Sequence, residues 1–331
     1  MRAMVLDAFG GPEVMHMDEI ARPAATPGNV VVQVAYASVN PADWKAREGW
    51  LSRYFDYEFP FVVGFDAAGI VAEVGEGVEG LAVGDRVVTP GNQGMGERGS
   101  YAEYVRAAAE RVVRLPDHVS LRDAATLPTA GMTAWEATID VGQAATGKTV
   151  IVNGGAGGTG SFAIQIARLA GARVAATCSP NNSAYVASLG AERAINYREG
   201  DVYAQIRDWA PEGVDVVVDT VGQGTFVDVV DVMRRGGIVA PIGTLIPEER
   251  TIDPAKAEAA GVTVIPTVST FPNQPRQLRA LVEALADGGI RTPEYTILPL
   301  DQASEAHRRV QDGHVRGKIL LEVDAALDTQ G

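Results

Sequence analysis

Residues 148–160 read Lys-Thr-Val-Ile-Val-Asn-Gly-Gly-Ala-Gly-Gly-Thr-Gly, so that a short apolar run enters a loop with five glycines in seven residues. Beyond the loop, apolar residues recur at positions 163, 166, 167 and 170. This i, i+3, i+4, i+7 spacing predicts a helix with one buried face. The helix is expected to stop at Gly171, because a left-handed glycine often follows the last helical residue.

The glycines of this loop fit two overlapping spacings, Gly155-x-Gly157-x-x-Gly160 and Gly154-x-x-Gly157-x-x-Gly160. Glycine permits a tight turn and a close approach of the backbone to a ligand, and the free N–H groups of a helix N-terminus face an anion. The alternative is an ordinary structural turn. Because the glycines lie between a strand and a helix, the sequence favours a cradle for the pyrophosphate of a dinucleotide.

Composition limits the class of protein. The chain has 331 residues, which favours two domains over one core. Its net charge of −14 argues against nucleic acid or anionic membranes as the main partner. There is no long uncharged apolar run, the N-terminus is charged too early for a secretion signal, and Cys178 is the single cysteine. A cytoplasmic protein without internal disulfides is predicted.

The hydrophobic pattern changes near residue 121. Before it, short strands with glycine and aspartate turns predict a small β-barrel. After it, helices alternate with six strands, which predicts a doubly wound parallel sheet and an α/β fold class. The sixth strand, residues 262–267, contains Pro266 and is expected at the sheet edge. That edge could pair across a two-fold axis, so a homodimer is predicted.

Seven stretches carry a family resemblance along nearly the whole chain. They are Val-Asn-Pro-Ala-Asp-Trp-Lys at 39–45, Pro-Phe-Val-Val-Gly-Phe-Asp-Ala-Ala-Gly at 60–69, Val-Gly-Asp-Arg-Val at 83–87, Gly-Ser-Tyr-Ala-Glu-Tyr-Val at 99–105, Leu-Pro-Thr-Ala-Gly-Met-Thr-Ala-Trp at 127–135, the glycine loop, and Gly-Lys-Ile-Leu at 317–320. In order and spacing they resemble the zinc-independent quinone oxidoreductases of the medium-chain dehydrogenase/reductase superfamily.

The resemblance implies a particular domain arrangement. A GroES-like barrel domain would comprise residues 1–120 and 271–331. A Rossmann NADP-binding domain, residues 121–270, would be inserted in it. A cleft between the two domains would hold NADPH and the substrate.

The metal-ligand positions of zinc-dependent relatives are altered in this chain. Those relatives carry a cysteine after an early strand and Gly-His-Glu in a later one, and the matching positions here are Asn40 and Gly64-Phe65-Asp66. Phenylalanine cannot bind zinc and asparagine offers no thiolate. The four histidines show no ligand spacing. No metal is therefore predicted.

The predicted absence of a metal limits which compounds can accept a hydride. Interconversion of simple alcohols and ketones is poorly supported without a metal. Hydride transfer to a quinone or to an electron-poor C=C bond is easier, because the charge delocalises onto an oxygen that a few donors can hold. NADPH-dependent reduction of quinones or α,β-unsaturated carbonyls is predicted. The alternatives are an NADPH-binding sensor or interaction protein with little turnover, and an enoyl reductase with a dedicated biosynthetic substrate.

The choice of cofactor rests on the segment after the second strand of the parallel sheet. NAD enzymes place an acidic residue there, on the ribose 2′-OH. Residues 177–183 here read Thr-Cys-Ser-Pro-Asn-Asn-Ser, without a carboxylate. Ser179, Asn182 and, by the resemblance, Tyr197 could bind a 2′-phosphate, and Arg198 could compensate for the missing basic residue. NADPH is predicted over NADH, although Ser179 and Asn182 could simply cap the next helix.

The resemblance and the glycine loop together suggest a set of site residues. Catalytic roles are implied for Asn40, Lys45 and Thr133. Cofactor contacts are expected from Asn40, Thr133, Gly154, Gly155, Ala156, Gly157, Gly158, Thr159, Gly160, Ser179, Asn182, Tyr197, Val221, Gly222, Ile242, Gly243 and Lys318.

Four features of the first domain have an alternative interpretation. Asn40 could instead form an Asx turn before Pro41. Lys45 could be a solvated surface lysine, and Lys318 could cap an edge strand. The aromatic stretch 44–59 suits either core packing or the wall of a cleft for a small apolar electrophile.

Overall fold

The computed structural model describes residues 1–91, 93, 97–222, 228–243, 252–267, 272–313 and 315–329. The strands in these residues are β1 Arg2–Leu6, β2 Met15–Glu19, β3 Asn29–Val39, β4 Asp66–Val74, β5 Arg86–Pro90, β6 Tyr104–Ala108, β7 Val113–Arg114, β8 Thr149–Asn153, β9 Arg173–Cys178, β10 Arg193–Asn196, β11 Val214–Asp219, β12 Met233–Pro241, β13 Thr263–Val264, β14 Tyr295–Pro299 and β15 Lys318–Glu322.

The helices in the same residues are mostly short. They are α1 Pro41–Arg47, α2 Leu121–Ala125, α3 Pro128–Trp135, α4 Gly158–Leu169, α5 Ser183–Ser188, α6 Val202–Trp209, α7 Pro254–Ala260, α8 Gln274–Ala286 and α9 Ala303–Asp312. A π-helix, Glu136–Val141, continues α3. None of the helices that the structure describes is both long enough and apolar enough to cross a bilayer.

The chain divides into two compact units. Unit 1 comprises Met1–Thr129 and Phe271–Gly331, and unit 2 comprises Ala130–Thr270. The domain boundaries derived from the sequence stay a prediction.

Unit 2 contains a six-stranded parallel sheet in the order β10-β9-β8-β11-β12-β13. The direction of strand addition reverses between β8 and β11, the point at which doubly wound sheets bind their ligands. The predicted fold class is confirmed. The helix predicted after the glycine loop is α4, and Gly171 has the expected positive φ of 83°.

The core of unit 2 lies on both faces of this sheet. Ile151 of β8, Val217 of β11 and Val239 of β12 are fully buried. Strands covered on both faces need apolar side chains in their middle, which is why residues 150–152 of β8 and 216–218 of β11 are all valine or isoleucine. The edge position of the sixth strand is confirmed, and its regular part is Thr263–Val264. Ile265 N and Thr267 N still donate to the carbonyl oxygens of Val239 and Pro241 in β12, so Pro266, which lies between them, lacks its N–H on the open side of the sheet.

Unit 1 is organised around β3, its longest described strand with 11 residues. The main sheet has the order β14-β15-β3-β4-β5-β7, with β6 paired to the first half of β3. The register of the β3–β4 pair shifts between Val31 and Val32 and again between Val34 and Tyr36, as at β-bulges. The second half of β3 pairs with β15, so the chain after residue 271 returns to the sheet of unit 1.

One strand of unit 1 differs from its prediction. The alternation in residues 100–105 predicts a strand, whereas β6 runs from Tyr104 to Ala108. The backbone of Gly99 and Tyr101 pairs instead with Val62 and Val63 in a loop. Local alternation cannot reveal that a distant loop takes these hydrogen bonds.

Candidate active site

The glycine loop of unit 2 connects the end of β8 to the start of α4. Gly154 has a φ of 82°, which a residue with a side chain rarely adopts. A Cβ on Gly160 would lie 2.2 Å from the carbonyl oxygen of Gly154. Both positions therefore require glycine for the loop itself to form.

Gly157 differs from these two glycines because nothing crowds it. Its φ is −77°, and an added Cβ would meet only the Gly154 carbonyl oxygen, at 3.7 Å. The space beside Gly157 is therefore open, directly in front of the N-terminus of α4. The first N–H groups of a helix lack partners within the helix and attract anions. This cradle fits the pyrophosphate of a dinucleotide.

The neighbouring strand ends carry the residues predicted to bind a 2′-phosphate. Ser179 follows β9 and Tyr197 follows β10, and these two strands pair in register up to Cys178 and Asn196. Asn182 Nδ2 donates to Ser179 Oγ at 3.1 Å. Neither Ser179 nor Asn182 makes a side-chain hydrogen bond that caps the following helix, so the geometry does not support the capping alternative.

Arg198 is a cation that follows the edge strand β10. It is exposed, and its guanidinium lies 5.8 Å from the centroid of the Tyr197 ring. A guanidinium on an aromatic face keeps its N–H groups available for a phosphate. The sequence alone left the direction of this side chain open, and the structure resolves it.

The loops after β11 and β12 hold the residues expected near the nicotinamide. Val221 is exposed, and Gly222 is half-buried. Ile242 N donates to the Asp219 carbonyl oxygen at 2.8 Å. Gly243 has a φ of 82° and open space where a Cβ would lie. Thr244, which continues this loop, lies outside the described residues.

In unit 1, Asn40 lies at the centre of a buried polar cluster. Its Oδ1 accepts from Lys318 Nζ at 2.7 Å, and its Nδ2 donates to Asp66 Oδ2 at 2.9 Å. Asp66 also accepts from the side chains of Ser38 (2.6 Å) and Thr129 (2.5 Å). The Asn40 amide is thus held by its neighbours and its oxygen accepts from Lys318, while Asn40 is also the N-cap of α1 and forms a capping box with Asp43.

Lys318 is buried at the start of β15. Burial lowers the pKa of its amine, while the carboxylates of Asp66 and Asp43 act in the opposite direction. This lysine therefore does not cap an edge strand at the surface. It places an amino group inside the cluster, beside the end of β3, with which β15 pairs.

Asp43 anchors the backbone on either side of the cluster. Its Oδ2 accepts from Asn40 N at 2.6 Å, and its Oδ1 accepts from Phe65 N at 3.0 Å. Burial, followed by the charge of Asp66, raises the pKa of Asp43 from 3.8 to about 7. Through these two bonds Asp43 connects the start of α1 to the loop at Phe65.

A second buried chain of side chains adjoins Asp43. Arg47 Nη1 lies 3.2 Å from His307 Nδ1, and His307 Nε2 lies 3.1 Å from the Tyr101 hydroxyl. Because arginine only donates, Nδ1 must accept, which leaves the proton on Nε2 facing Tyr101. Burial and the charge of Arg47 lower the pKa of His307 to about 3, so the ring is neutral. The Tyr101 proton is then available to the nearby Asp43.

Lys45 and Thr133 complete the predicted catalytic set. Lys45 lies in α1 and is buried, with its Nζ 5.7 Å from the Trp44 ring, so it is not a solvated lysine. Thr133 lies in α3 and is half-buried in unit 2. Asn40, Lys45 and Lys318 share unit 1, whereas the predicted cofactor loops share unit 2.

The aromatic segment of unit 1 has a packed side and an exposed side. Tyr57 packs edge-on against Phe61 at 4.7 Å and against Phe9 at 5.5 Å. Trp50, Tyr54 and Phe59 remain 42%, 51% and 40% exposed. The segment therefore contributes both to the core of unit 1 and to its surface.

A zinc ion does not fit the positions that hold it in zinc-dependent relatives. The Asn40 oxygen is bonded to the Lys318 amine, and Phe65 offers no ligand atom. Across the described part of the chain, no three His, Cys, Asp or Glu side chains form a metal-binding group.

The sequence did not identify several polar residues near these sites. In unit 1 they are Asp66, Tyr101 and His307, and in unit 2 they are Asn153 and Thr177. A signal existed for Asn153, because it is a polar residue that ends an otherwise apolar strand. Nothing in the sequence indicates that Tyr101 and His307 meet.

Comparisons with known proteins agree with this architecture. A family model described as the alcohol dehydrogenase GroES-like domain matches residues 26–117. Another, described as zinc-binding dehydrogenase, matches residues 189–321. The quinone oxidoreductase of Sus scrofa is 30% identical over 326 residues, which cover 97% of each chain.

Solved structures match over almost the whole chain. A crystal structure of an NAD-dependent alcohol dehydrogenase has a TM-score of 0.89 and 30% identity, over 98% of this chain and 100% of the other. A mycobacterial protein complexed with NADPH has a TM-score of 0.86 and 28% identity, over 98% and 100% of the two chains.

These matches define the class of protein as an NAD(P)H oxidoreductase with a GroES-like and a Rossmann domain. Within that class, the chain belongs to the quinone oxidoreductase family of the medium-chain dehydrogenase/reductase superfamily. The predicted family and the predicted enzyme class are confirmed.

Proposed function

We propose that this enzyme transfers a hydride from NADPH to a quinone or to an α,β-unsaturated carbonyl compound, without a metal ion. The observation that carries the proposal is the cradle at Gly157, with Ser179, Tyr197 and Arg198 at the neighbouring strand ends. That edge offers hydroxyl and guanidinium groups and no carboxylate in residues 177–183. Such groups suit a 2′-phosphate, which an acidic residue would repel.

When bound, NADPH supplies the hydride. The N-terminus of α4 would hold its pyrophosphate, and the open space at Gly243 would allow a close approach of the ring. The presence of NADPH in the mycobacterial relative supports this choice. Because a protein of similar fold is an NAD-dependent alcohol dehydrogenase, NADH is the main alternative cofactor.

The chemistry of unit 1 supports an acceptor that needs no Lewis acid. The amine of Lys318 bonds to Asn40 where zinc-dependent relatives have a metal ligand, so these residues do not polarise a carbonyl through zinc. A quinone or enone delocalises the incoming charge onto oxygen, where a few hydrogen-bond donors suffice. The exposed aromatic rings of Trp50, Tyr54 and Phe59 favour a small planar apolar acceptor. The name of the pig relative supports a quinone.

The test is a substrate screen that follows the loss of NADPH absorbance. The panel contains para- and ortho-quinones, enones and saturated ketones, and each is assayed with NADPH and with NADH, before and after treatment with a chelator. We expect turnover with a quinone or an enone, a higher kcat/KM with NADPH, and no effect of the chelator.

Three results would contradict the proposal. NADPH binding without turnover across the panel would indicate a sensor, or an enoyl reductase with a dedicated substrate. A preference for NADH would refute the cofactor assignment. Activity on saturated ketones that the chelator abolishes would refute the metal-free mechanism.

A further inference from the structure

Three neighbouring strands of unit 2 end in buried polar side chains. Thr177 lies near the end of β9, Asn153 ends β8, and Asp219 ends β11. All three are almost completely inaccessible to solvent. The strand β8 lies between β9 and β11, so the three side chains form a row across the switch point of the sheet.

The hydrogen bonds in this row run in one direction. Thr177 Oγ1 accepts from Gly154 N at 2.9 Å and donates to Asn153 Oδ1 at 2.6 Å. Asn153 Nδ2 then donates to Asp219 Oδ1 at 2.7 Å. The orientation of the Asn153 amide follows from its partners, since its oxygen could not face the Asp219 carboxylate.

The row connects two loops that belong to different parts of the predicted site. At one end it holds Gly154, the first residue of the glycine loop. At the other end, Asp219 Oδ1 accepts from Val221 N and from Gly222 N, both at 3.1 Å. The Thr220 hydroxyl adds a bond to the Asn153 carbonyl oxygen at 2.7 Å.

We propose that Thr177, Asn153 and Asp219 are positioning residues for the dinucleotide, which set the spacing between the glycine loop and the loop after β11. The inference rests on the proposed function, since it assumes that these loops hold NADPH.

A role in stability alone explains the row poorly. The strands β8 and β11 are already joined by their backbone ladder. Burial raises the pKa of Asp219, and only the hydrogen bonds from Asn153, Val221 and Gly222 counteract that effect. A buried carboxylate costs free energy that an apolar pair of the same size would avoid. What an apolar pair could not do is bind the two N–H groups of the loop after β11.

The decisive variant is Asn153→Asp, which places two carboxylates in the contact now made at 2.7 Å. We expect the Kd for NADPH, measured by fluorescence titration, to rise about tenfold or more relative to wild type at pH 8. The ratio to wild type should fall toward one at pH 6. Facing carboxylates share a proton, and the protonated one then donates as the amide did.

The charged groups around this contact are few, which makes the pH dependence interpretable. Asp219 and the introduced carboxyl face each other, and Thr177 contributes only a hydroxyl. No other charged side chain among the described residues influences the pKa of Asp219. The 2′-phosphate of NADPH also titrates, and the ratio to wild type removes its effect.

Two variants of Asp219 separate its hydrogen bonds from its charge. Asp219→Asn keeps an oxygen acceptor, and we expect a Kd within about threefold of wild type. Asp219→Leu removes the acceptor, and the Kd should rise about tenfold or more. The unfolding midpoint of each variant is recorded beside its Kd.

A matched control lies at the opposite end of the same two strands. Thr149 Oγ1 donates to Asp215 Oδ2 at 2.9 Å, between the starts of β8 and β11. Thr149→Val should reduce stability without changing the Kd for NADPH.

Several outcomes would overturn the inference. One is wild-type affinity in Asn153→Asp at pH 8, another is a loss that does not recover at pH 6, and a third is an equal loss in Thr149→Val. If Asp219→Leu does not fold, the Asn153→Asp titration decides. Failure of the wild-type protein to bind NADPH would instead refute the proposed function.

Discussion

At the scale of single residues, Asp43 and His307 affect the pH dependence of stability in opposite directions. The pKa of Asp43 rises from 3.8 to about 7 on folding, mainly through burial. The folded state therefore binds this proton more tightly, and its contribution to stability is lost as the pH rises from about 4 through 7. The pKa of His307 falls from 6.5 to about 3. Its contribution is lost as the pH falls from 6.5 toward 3.

The Asp43 contribution can be isolated with the variant Asp43→Asn. A neutral amide has the charge of the protonated carboxyl that the folded protein carries at pH 5, but its NH2 group cannot accept one of the two backbone N–H bonds, so the variant should be less stable than wild type there. At pH 8 the wild type has an ionised buried carboxyl, and the stability of the variant relative to wild type should increase. Urea unfolding at both pH values measures the change. The exposed Asp56→Asn serves as control, and a pH-independent difference for Asp43→Asn would contradict the assigned pKa shift.

Ser179 tests the recognition of the cofactor phosphate. The variant Ser179→Asp introduces the acidic side chain that NAD enzymes use on the ribose 2′-OH. Repulsion of the 2′-phosphate should lower kcat/KM for NADPH by about tenfold or more and leave the value for NADH the same or higher. Steady-state kinetics with both cofactors measure the ratio. An unchanged preference would remove Ser179 from the phosphate site.

At the scale of elements, the glycine loop contains one glycine that packing requires and another that faces open space. Gly160 is required by packing, because a Cβ would lie 2.2 Å from the Gly154 carbonyl oxygen and 2.9 Å from Gly155 Cα. Gly157 is required by nothing in the protein itself. A methyl group at Gly157 would extend into the cradle that the pyrophosphate is proposed to occupy.

The variants Gly157→Ala and Gly160→Ala should therefore behave differently. We expect Gly160→Ala to lower the free energy of unfolding by about 1–3 kcal/mol, as overpacking generally does. Gly157→Ala should change it by less than about 1 kcal/mol. Both should weaken NADPH binding. Urea unfolding and fluorescence titration distinguish the two cases, and wild-type affinity in Gly157→Ala would argue against the cradle.

At the scale of the whole molecule, the edge of the parallel sheet predicts self-association. The strand β13 lies at that edge, and Ile265 beside it is 37% exposed. An exposed edge strand pairs readily with a second copy. We expect a particle of twice the 34.8 kDa chain mass by light scattering. Ile265→Lys should yield monomers, because charged residues block edge pairing.

A control for the dimer lies elsewhere in unit 2. Leu169, at the end of α4, is 55% exposed and is not part of an edge strand. Leu169→Lys should leave the particle mass unchanged. Equal dissociation in both variants would indicate another interface, and a monomeric wild type would refute the dimer.

Most of the fold of unit 2 follows from local patterns in the sequence. The alternation of apolar runs and helical spacings predicts the six parallel strands. The spacing of Gly154, Gly157 and Gly160 predicts the cradle. Unit 1 is harder to predict, as the shifted strand β6 shows. Residues 99–101 pair there with the loop 62–64 instead of forming the start of a strand, and such a pairing depends on a distant chain segment.

The site residues likewise divide into those that the sequence predicts and those that only the tertiary structure identifies. By itself the sequence determined the glycine loop, the missing carboxylate after β9 and the altered metal-ligand positions, since each depends on which residue type stands at one place. Only the tertiary structure decided that Lys318 binds Asn40, 278 residues earlier, and that Asn153 joins Asp219 across 66 residues. Strand pairing brings these side chains together. Periodicity reports the local backbone and contains no information on which distant polar group completes a hydrogen bond.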